Sequence, residues 1–259
     1  MKSLQVIKIG GNVIDDPQSL NSFVKNFVQV KGPKILVHGG GKKASSTAEA
    51  MGVEPKMWHG RRITDGPTLD IVTMVYAGLI NKNLVARLQG DRCNALGLTG
   101  ADGNTIQAVK RPVKQVDYGF AGDLNEQSVN RNFLATLLQN DICPVICAIT
   151  HDKNGQLLNT NADTIATNIA IAMQNLYQTS LIFCFEKHGV LLDPDDEKSL
   201  IPEINWEDYQ QYKSDQIIKD GMIPKLDNAF EAIRAGVASI TIKHATNLNN
   251  ERGTVLYPS

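Results

Sequence analysis

Two lysines, one aspartate and several glycine turns in this chain have the types and surroundings that anion chemistry uses. Lys8-Ile9-Gly10-Gly11-Asn12 closes a short apolar run, and His38-Gly39-Gly40-Gly41-Lys42 closes a second. Glycines at such turns leave backbone N–H groups open to an anion, since no Cβ stands in the way. Both turns precede helical patterns, whose amino termini add a field that favours negative charge. Lys8 falls on the same side of its run as Val6 and Gly10, an expensive place for a charge without a partner. Asn159-Thr160-Asn161-Ala162-Asp163 opens another helical pattern with a capping-type sequence. Asp220-Gly221-Met222-Ile223-Pro224-Lys225 puts a lysine at a helix start, where the dipole disfavours a cation unless an anion is near. In Gly60-Arg61-Arg62-Ile63-Thr64-Asp65 the adjacent arginines point in different directions, so one of them can fork onto a carboxylate. Plain structural explanations stand beside these: a snorkelling lysine for Lys8, helix capping for the asparagines, a solvated surface residue for Lys225.

The second glycine turn also satisfies G-x-G-x-x-G/A, the dinucleotide fingerprint. A dinucleotide site would next show an apolar strand ending in Asp or Glu roughly 20 residues on. Here the polar GVEPKMWHGRRITDG follows instead, and a P-loop is excluded because Leu36 stands where its upstream glycine must be. Four cysteines (Cys93, Cys143, Cys147, Cys184) show no C-x-x-C pair, and three lie in apolar stretches, which predicts reduced, buried thiols. Five scattered histidines have no ligand partners at metal-binding spacing, so no protein-only zinc site is expected.

The elements that must position these residues are legible from periodicity. Continuous apolar runs at 4–9, 34–38, 94–99, 144–149, 180–185 and 238–242 predict strands buried on both faces. Between them, helical patterns cover 20–30, 69–89, 126–139, 162–173 and 226–234. Strand alternating with helix implies α/β architecture with a mainly parallel sheet. Two stretches, 100–123 and 187–200, break the rhythm with turn residues and predict antiparallel strands or lids. A mild boundary near 171–179 predicts an N-terminal lobe over 1–173 and a C-terminal lobe over 174–259, with one sheet able to run through both. In open α/β sheets ligands sit at the carboxyl ends of the strands, which is where the glycine turns fall.

The chain has 259 residues, with 26 Lys+Arg against 27 Asp+Glu for a formal charge of −1, and 42% hydrophobic residues. This is enough to bury a sizeable core without disulfides or structural metal. Near-neutral charge without a dense basic block argues against nucleic-acid or membrane-surface partners. No secretory signal and no run of about 18 apolar residues is seen, which predicts a cytoplasmic protein.

Taken in order, KIGGNVI, VHGGGKKAS, GRRITD, GLTGADG, NTNADTIA and DGMIPKL resemble the amino acid kinase superfamily, and within it the kinases of N-acylated glutamate. The resemblance spans nearly the whole chain and implies a three-layer αβα sandwich around a mainly parallel sheet. It implies transfer of the ATP γ-phosphoryl group to the γ-carboxylate of N-acetyl-L-glutamate, with Mg²⁺ carried by ATP. N-succinyl-L-glutamate is the alternative acceptor; Arg61, Lys42 or Lys43 would then have to supply one further cation. By the same resemblance Lys8 and Lys225 flank the transferring group and Asp163 holds both. Gly11, Gly40 and Gly41 contact the phosphoryl group and the γ-carboxylate, while Arg62 and Asn159 take the amino-acid end. Gly10, Lys187, Gly189 and Gly221 border the nucleotide, and Tyr118-Gly119-Phe120-Ala121-Gly122 resembles a lid over the amino-acid site. Where the family shows a Thr/Ser-Asp pair, this chain has Phe185-Glu186. The chain starts at its first strand, without the extra N-terminal helix of the arginine-inhibited hexameric branch, which predicts a homodimer without arginine feedback.

Overall fold

The apolar runs fold as strands because β-branched and aliphatic side chains at successive positions can be buried on both faces of a covered parallel sheet. In the first strand Leu4, Val6, Ile7 and Ile9 are all fully buried. In the computed structural model, which describes residues 1–193, 195–219 and 222–258, the chain runs as follows. The first half comprises β1 (Ser3–Ile9), α1 (Gly11–Asp15), α2 (Pro17–Gln29), β2 (Lys34–His38), α3 (Gly41–Ala50), β3 (Met57–Trp58), β4 (Arg61–Arg62), α4 (Gly66–Thr73) and α5 (Asn81–Gly90). Then come β5 (Ala95–Leu98), β6 (Val109–Lys110), β7 (Ala121–Asp123), α6 (Arg131–Gln139), β8 (Cys143–Cys147), β9 (Ile149–His151), β10 (Leu157–Thr160) and α7 (Ala162–Met173). The remainder is β11 (Gln178–Phe185), β12 (Glu203–Ile204), α8 (Trp206–Ser214), α9 (Met222–Arg234), β13 (Ser239–His244) and β14 (Thr254–Leu256).

Eight strands form one sheet in the order β12-β14-β13-β11-β1-β2-β8-β5, parallel throughout except where β14 pairs antiparallel with β13. Helices α6, α7 and α9 pack on one face, and α2 and α5 lie on the other, giving an α/β three-layer sandwich. The join between β1 and β11 carries the sheet across the sequence boundary near residue 173, with Lys8 in register with Phe183. A four-stranded sheet, β6-β7-β10-β9, and the β3–β4 hairpin stand beside the carboxyl edge of the main sheet.

Several expected boundaries move, each for a local reason. The run 144–149 splits, because Thr160 N donates to Ala148 O and Ile149 then pairs with Asn159 in the smaller sheet. The helix expected from residue 126 begins at Arg131, where the Asn130 side chain accepts the Phe133 N–H and fixes the start. The helix expected over 69–89 extends over Gly66–Gly90, with a π-helical stretch at Met74–Ile80 in its middle. That helix is long and apolar enough to cross a membrane by length and composition. Its Leu69, Val72, Val75, Ile80, Leu84 and Leu88 are instead buried in the protein core. The polar arginine segment pairs Met57 with Arg62 in a hairpin. All four cysteines are unpaired and buried.

Candidate active site

Lys8, near the end of β1, and Asp163, in the first turn of α7, form a buried ion pair with Nζ 2.8 Å from Oδ1. Asp163 reaches the lysine because Asn161, not the aspartate, caps the helix: its side chain accepts the N–H groups of Asp163 and Thr164. Oδ1 takes no aligned hydrogen bond among the described residues, so Lys8 is held by charge. Lys225, in the first turn of α9, is half-buried on the same side of the sheet. Burial pushes its ammonium below the usual lysine range; Asp163 and Glu186 oppose that shift, and Lys8 adds to it. Both lysines lie over the Phe185 ring, Lys8 Nζ at 5.0 Å and Lys225 Nζ at 3.9 Å from its centroid. The strand and two helices thus bring Lys8, Asp163 and Lys225 together from positions far apart in the chain.

The two glycine turns face each other at the ends of the adjacent strands β1 and β2. A Cβ on Gly11 would lie 3.8 Å from Gly41 N. Gly10 donates its N–H to Cys184 O on the next strand. Gly40, at φ +149°, has no room for a side chain, since a Cβ would run into Ile80 Cδ1 and close on the Tyr76 ring. The turn is braced from below by His38, whose Nδ1 lies 2.8 Å from Gly39 O and whose Nε2 is 3.0 Å from Asn81 Nδ2. Burial pushes the His38 pKa down to about 4, so the ring is neutral at pH 7 and braces the turn without adding charge.

Beside these turns lies a cleft of about 220 Å³ lined by Gly39, Gly41, Arg62, Tyr76, Asn159 and Asn161, among others. Arg62 fixes one end of its guanidinium by donating from Nη2 to Gly41 O (2.9 Å) and Ser45 Oγ (2.7 Å). Its Nη1 is buried and without a partner among the described residues. A buried guanidinium nitrogen with unused donors in a cleft wall suits a carboxylate. Arg61 lines the same cleft and is exposed, whereas Arg62 is half-buried. Asn159 donates to Thr64 Oγ1 at 3.0 Å, and Thr64 is bridged to Gly119 in the segment 118–122. Sequence reasoning missed Arg111, which lines the same cleft and is forked onto Asp123 at 2.5–3.2 Å. It also missed Tyr76, since nothing in a helical pattern marks one aromatic residue as cleft-lining.

The remaining predicted positions are less gathered. Lys187 is exposed just beyond β11, and its neighbour Glu186 accepts a hydrogen bond from Asn12 Nδ2 at 2.8 Å, linking the ends of β1 and β11. Gly189 is buried against Thr254 and Leu200, where a Cβ would lie 2.5 and 2.6 Å away, so packing alone accounts for that glycine. Gly221 lies outside the described residues. Helices α1, α3 and α7 start directly after β1, β2 and β10, so their amide dipoles favour a polyanion at those strand ends. Asp163 is engaged with Lys8, and among the described residues no group of three His, Cys, Asp or Glu side chains is placed to hold a metal.

Two lysines gathered beside one aspartate, glycine turns at the carboxyl edge of a parallel sheet and an adjoining arginine-lined cleft are the parts of a small-molecule phosphotransferase. The chain belongs to the amino acid kinase family, whose sequence model matches residues 3–244. It is 50% identical over 255 residues to an acetylglutamate kinase of Phocaeicola vulgatus, covering 98% of each chain. It is 52% identical over 259 residues to an acetylglutamate kinase of Cytophaga hutchinsonii, covering 98% of this chain and 97% of that one. Among solved structures, smu.665 from Streptococcus mutans superposes with a TM-score of 0.82 at 27% identity, covering 99% of both chains. A Giardia carbamate kinase shares the fold at a TM-score of 0.70 and 16% identity, covering 100% of this chain and 99% of that one.

Proposed function

We propose that this chain is an acetylglutamate kinase: it moves the γ-phosphoryl group of Mg-ATP to the γ-carboxylate of N-acetyl-L-glutamate, releasing ADP and an acyl phosphate for arginine biosynthesis. The observation that carries this reading is the buried Lys8–Asp163 pair, with Lys225 beside it, next to a cleft where Arg62 keeps a buried, unpartnered guanidinium nitrogen. The sequence likeness to acetylglutamate kinases at about half identity over the full length supports the acceptor.

The acceptor carboxylate, with an ordinary pKa of about 4.3, is ionised at pH 7 and needs no general base. The obstacle is charge: two unit charges 4 Å apart repel by about 4 kcal/mol at an effective dielectric near 20. Lys8 offsets charge on the transferring group, and Lys225 on the departing ADP side. Amide N–H groups of Gly11, Gly40 and Gly41 meet the equatorial oxygens, a preorganised arrangement that costs no reorientation during transfer. Asp163 orients the ammonium groups and takes no proton. Arg62 grips the α-carboxylate with Nη1 while Asn159 meets the acylamino end. The nucleotide lies on the C-terminal lobe, 174–259, beside Gly10 and Lys187, and the N-terminal lobe, 1–173, takes the amino acid. Mg²⁺ enters with ATP on its phosphate oxygens.

The protein works as a cytoplasmic homodimer, joined through the outer side of the Gly66–Gly90 helix, where Met74 and Leu79 are exposed. Light scattering that gives a monomer mass removes the dimer. The activity is tested by hydroxylamine trapping of acyl phosphate with Mg-ATP, comparing N-acetyl-L-glutamate with N-succinyl-L-glutamate. Hydroxamate from the acetyl substrate is the expected result. Product from the succinyl substrate alone reassigns the acyl group, and product from neither overturns the reading.

A further inference from the structure

We propose that Phe185 is a positioning residue for phosphoryl transfer: its ring is a shared platform that holds the ammonium groups of Lys8 and Lys225 in place while leaving their N–H donors open for the phosphates. The inference rests on the phosphotransferase reading of the site, and it falls at the residue pair where the family pattern is broken.

The platform is built from strand geometry. Side chains alternate along a strand, so Phe183 and Phe185 share one face of β11, and Lys8 is in register with Phe183 on the neighbouring strand. Lys8 therefore leans along its own strand toward the ring one step further on, reaching 5.0 Å from the centroid. Lys225 arrives from α9 above the same face and lies closer, at 3.9 Å. The ring cannot swing away. Phe183 stacks parallel to it, with centroids 6.2 Å apart and planes within 5°, and a Cβ on Gly10 would sit 3.3 Å from its Cδ1. Gly10 thus has a reason to be glycine that sequence reasoning did not see: it leaves room for the ring.

The two lysines are unequally served by acids. Asp163 holds Lys8 at 2.8 Å, whereas among the described residues no carboxylate oxygen lies within ion-pair distance of Lys225 Nζ. Two neighbouring ammonium groups repel, and without a countercharge the more weakly held one would turn out to solvent. The negative face of an aromatic ring attracts a cation at this distance, more strongly where water is excluded. Unlike a carboxylate, it does so without engaging a particular N–H. A phosphate oxygen that arrives meets donors already in place and unspent.

The test uses the full-length enzyme and three variants: Phe185→Leu, Phe185→Tyr and Phe23→Leu. Leu keeps the site apolar but removes the ring. Phe185→Leu is expected to lower kcat by roughly tenfold with little change in KM for the acceptor, and to move the alkaline limb of kcat down by about one pH unit. The charged groups that face Lys225 across the site, Asp163 on α7, Lys8 on β1 and Glu186 beyond β11, are unchanged in that variant. Phe185→Tyr, which keeps the ring, restores both the rate and the limb. Phe23→Leu removes a buried ring of the same size on α2, remote from the lysines, and leaves the limb where it is. In ligand-free protein, lysine NMR should show the Lys225 ε-methylene protons shifted upfield by the ring and returned to ordinary positions in Phe185→Leu, with assignment by Lys225→Arg. An unchanged limb and rate in Phe185→Leu, or ε-methylene signals insensitive to it, overturns the platform. The NMR readout needs no turnover: an inactive wild-type protein with ring-shifted lysine signals sinks the proposed activity and leaves the contact standing.

Discussion

The two sides of the site are held by different forces. On the acceptor side, Gly40 is locked by the Ile80 and Tyr76 side chains, the neutral His38 braces Gly39, and Arg62 is anchored through Nη2 before any ligand arrives. On the transfer side, Lys8, Asp163 and Lys225 come from three separate elements and are held by charge and by one aromatic face. Shape built from backbone and neutral hydrogen bonds is rigid and insensitive to salt. Charges held near one another can be redistributed when a polyanion enters. The contrast teaches that this fold keeps the pocket that must recognise apart, in its physics, from the cluster that must respond.

If this contrast is right, damage on the transfer side removes rate and leaves the fold, whereas damage on the acceptor side removes stability or affinity. The largest effect is expected for Lys8→Ala or Lys225→Ala, each lowering kcat by at least about 10²-fold with KM for the amino acid less affected, as for the loss of one preorganised charge donor. Steady-state kinetics on the folded variants checks it, and a near-normal kcat would remove that lysine from the mechanism. Next comes His38. Its folded pKa of about 4 lies below the unfolded value near 6.5, so the unfolded chain binds the proton first on acidification. Its contribution to stability is complete above about pH 6.5 and is lost as pH falls toward 4, to the extent of roughly 3 kcal/mol. Urea unfolding at pH 7 and 4.5 should show this loss in the wild type and a flatter dependence in His38→Gln. Gly40→Ala, which forces a Cβ into Ile80 at a positive φ, is expected to cost about 2 kcal/mol of stability. A thermal melt that matches the wild type would mean the turn is not rigid. The smallest change is Arg62→Lys, which cannot serve both Gly41 O and a ligand carboxylate: KM for the acceptor should rise about tenfold with kcat nearly kept. If Arg62→Lys instead lowers kcat alone, the division between recognition and response fails.

Much of this was legible before any coordinates. Continuous apolar runs marked the central strands because burial on both faces leaves no polar positions, and the glycine turns fell where parallel sheets bind ligands. Lys8 stood out as a charge inside such a run, and the ion pair with Asp163 explains it. The capping sequence at 159–163 was ambiguous for a physical reason: Asn161 and Asp163 are both good capping types, and only the geometry shows that Asn161 takes the helix N–H groups and frees Asp163 for Lys8. The smaller sheet was harder to read. Its strands are two to four residues long, too short for a period to declare itself, so Arg111 and the hairpin that carries Arg62 could not be placed. Gly189 shows the opposite limit, since its sequence context suits ligand approach and tight packing equally well.

The π-helical stretch at Met74–Ile80 has a further consequence for how this chain tolerates change. Each residue in a helix advances the facing direction by about 100°. A π-helical turn closes i→i+5 bonds and holds one residue more than an α-helical turn, so deleting one residue there would let the stretch close as ordinary helix, whereas a deletion within Asn81–Gly90 would turn Leu88 away from the core. The stretch therefore acts as slack between two halves of one helix, the place where a one-residue change in length can be absorbed while both halves keep facing the core.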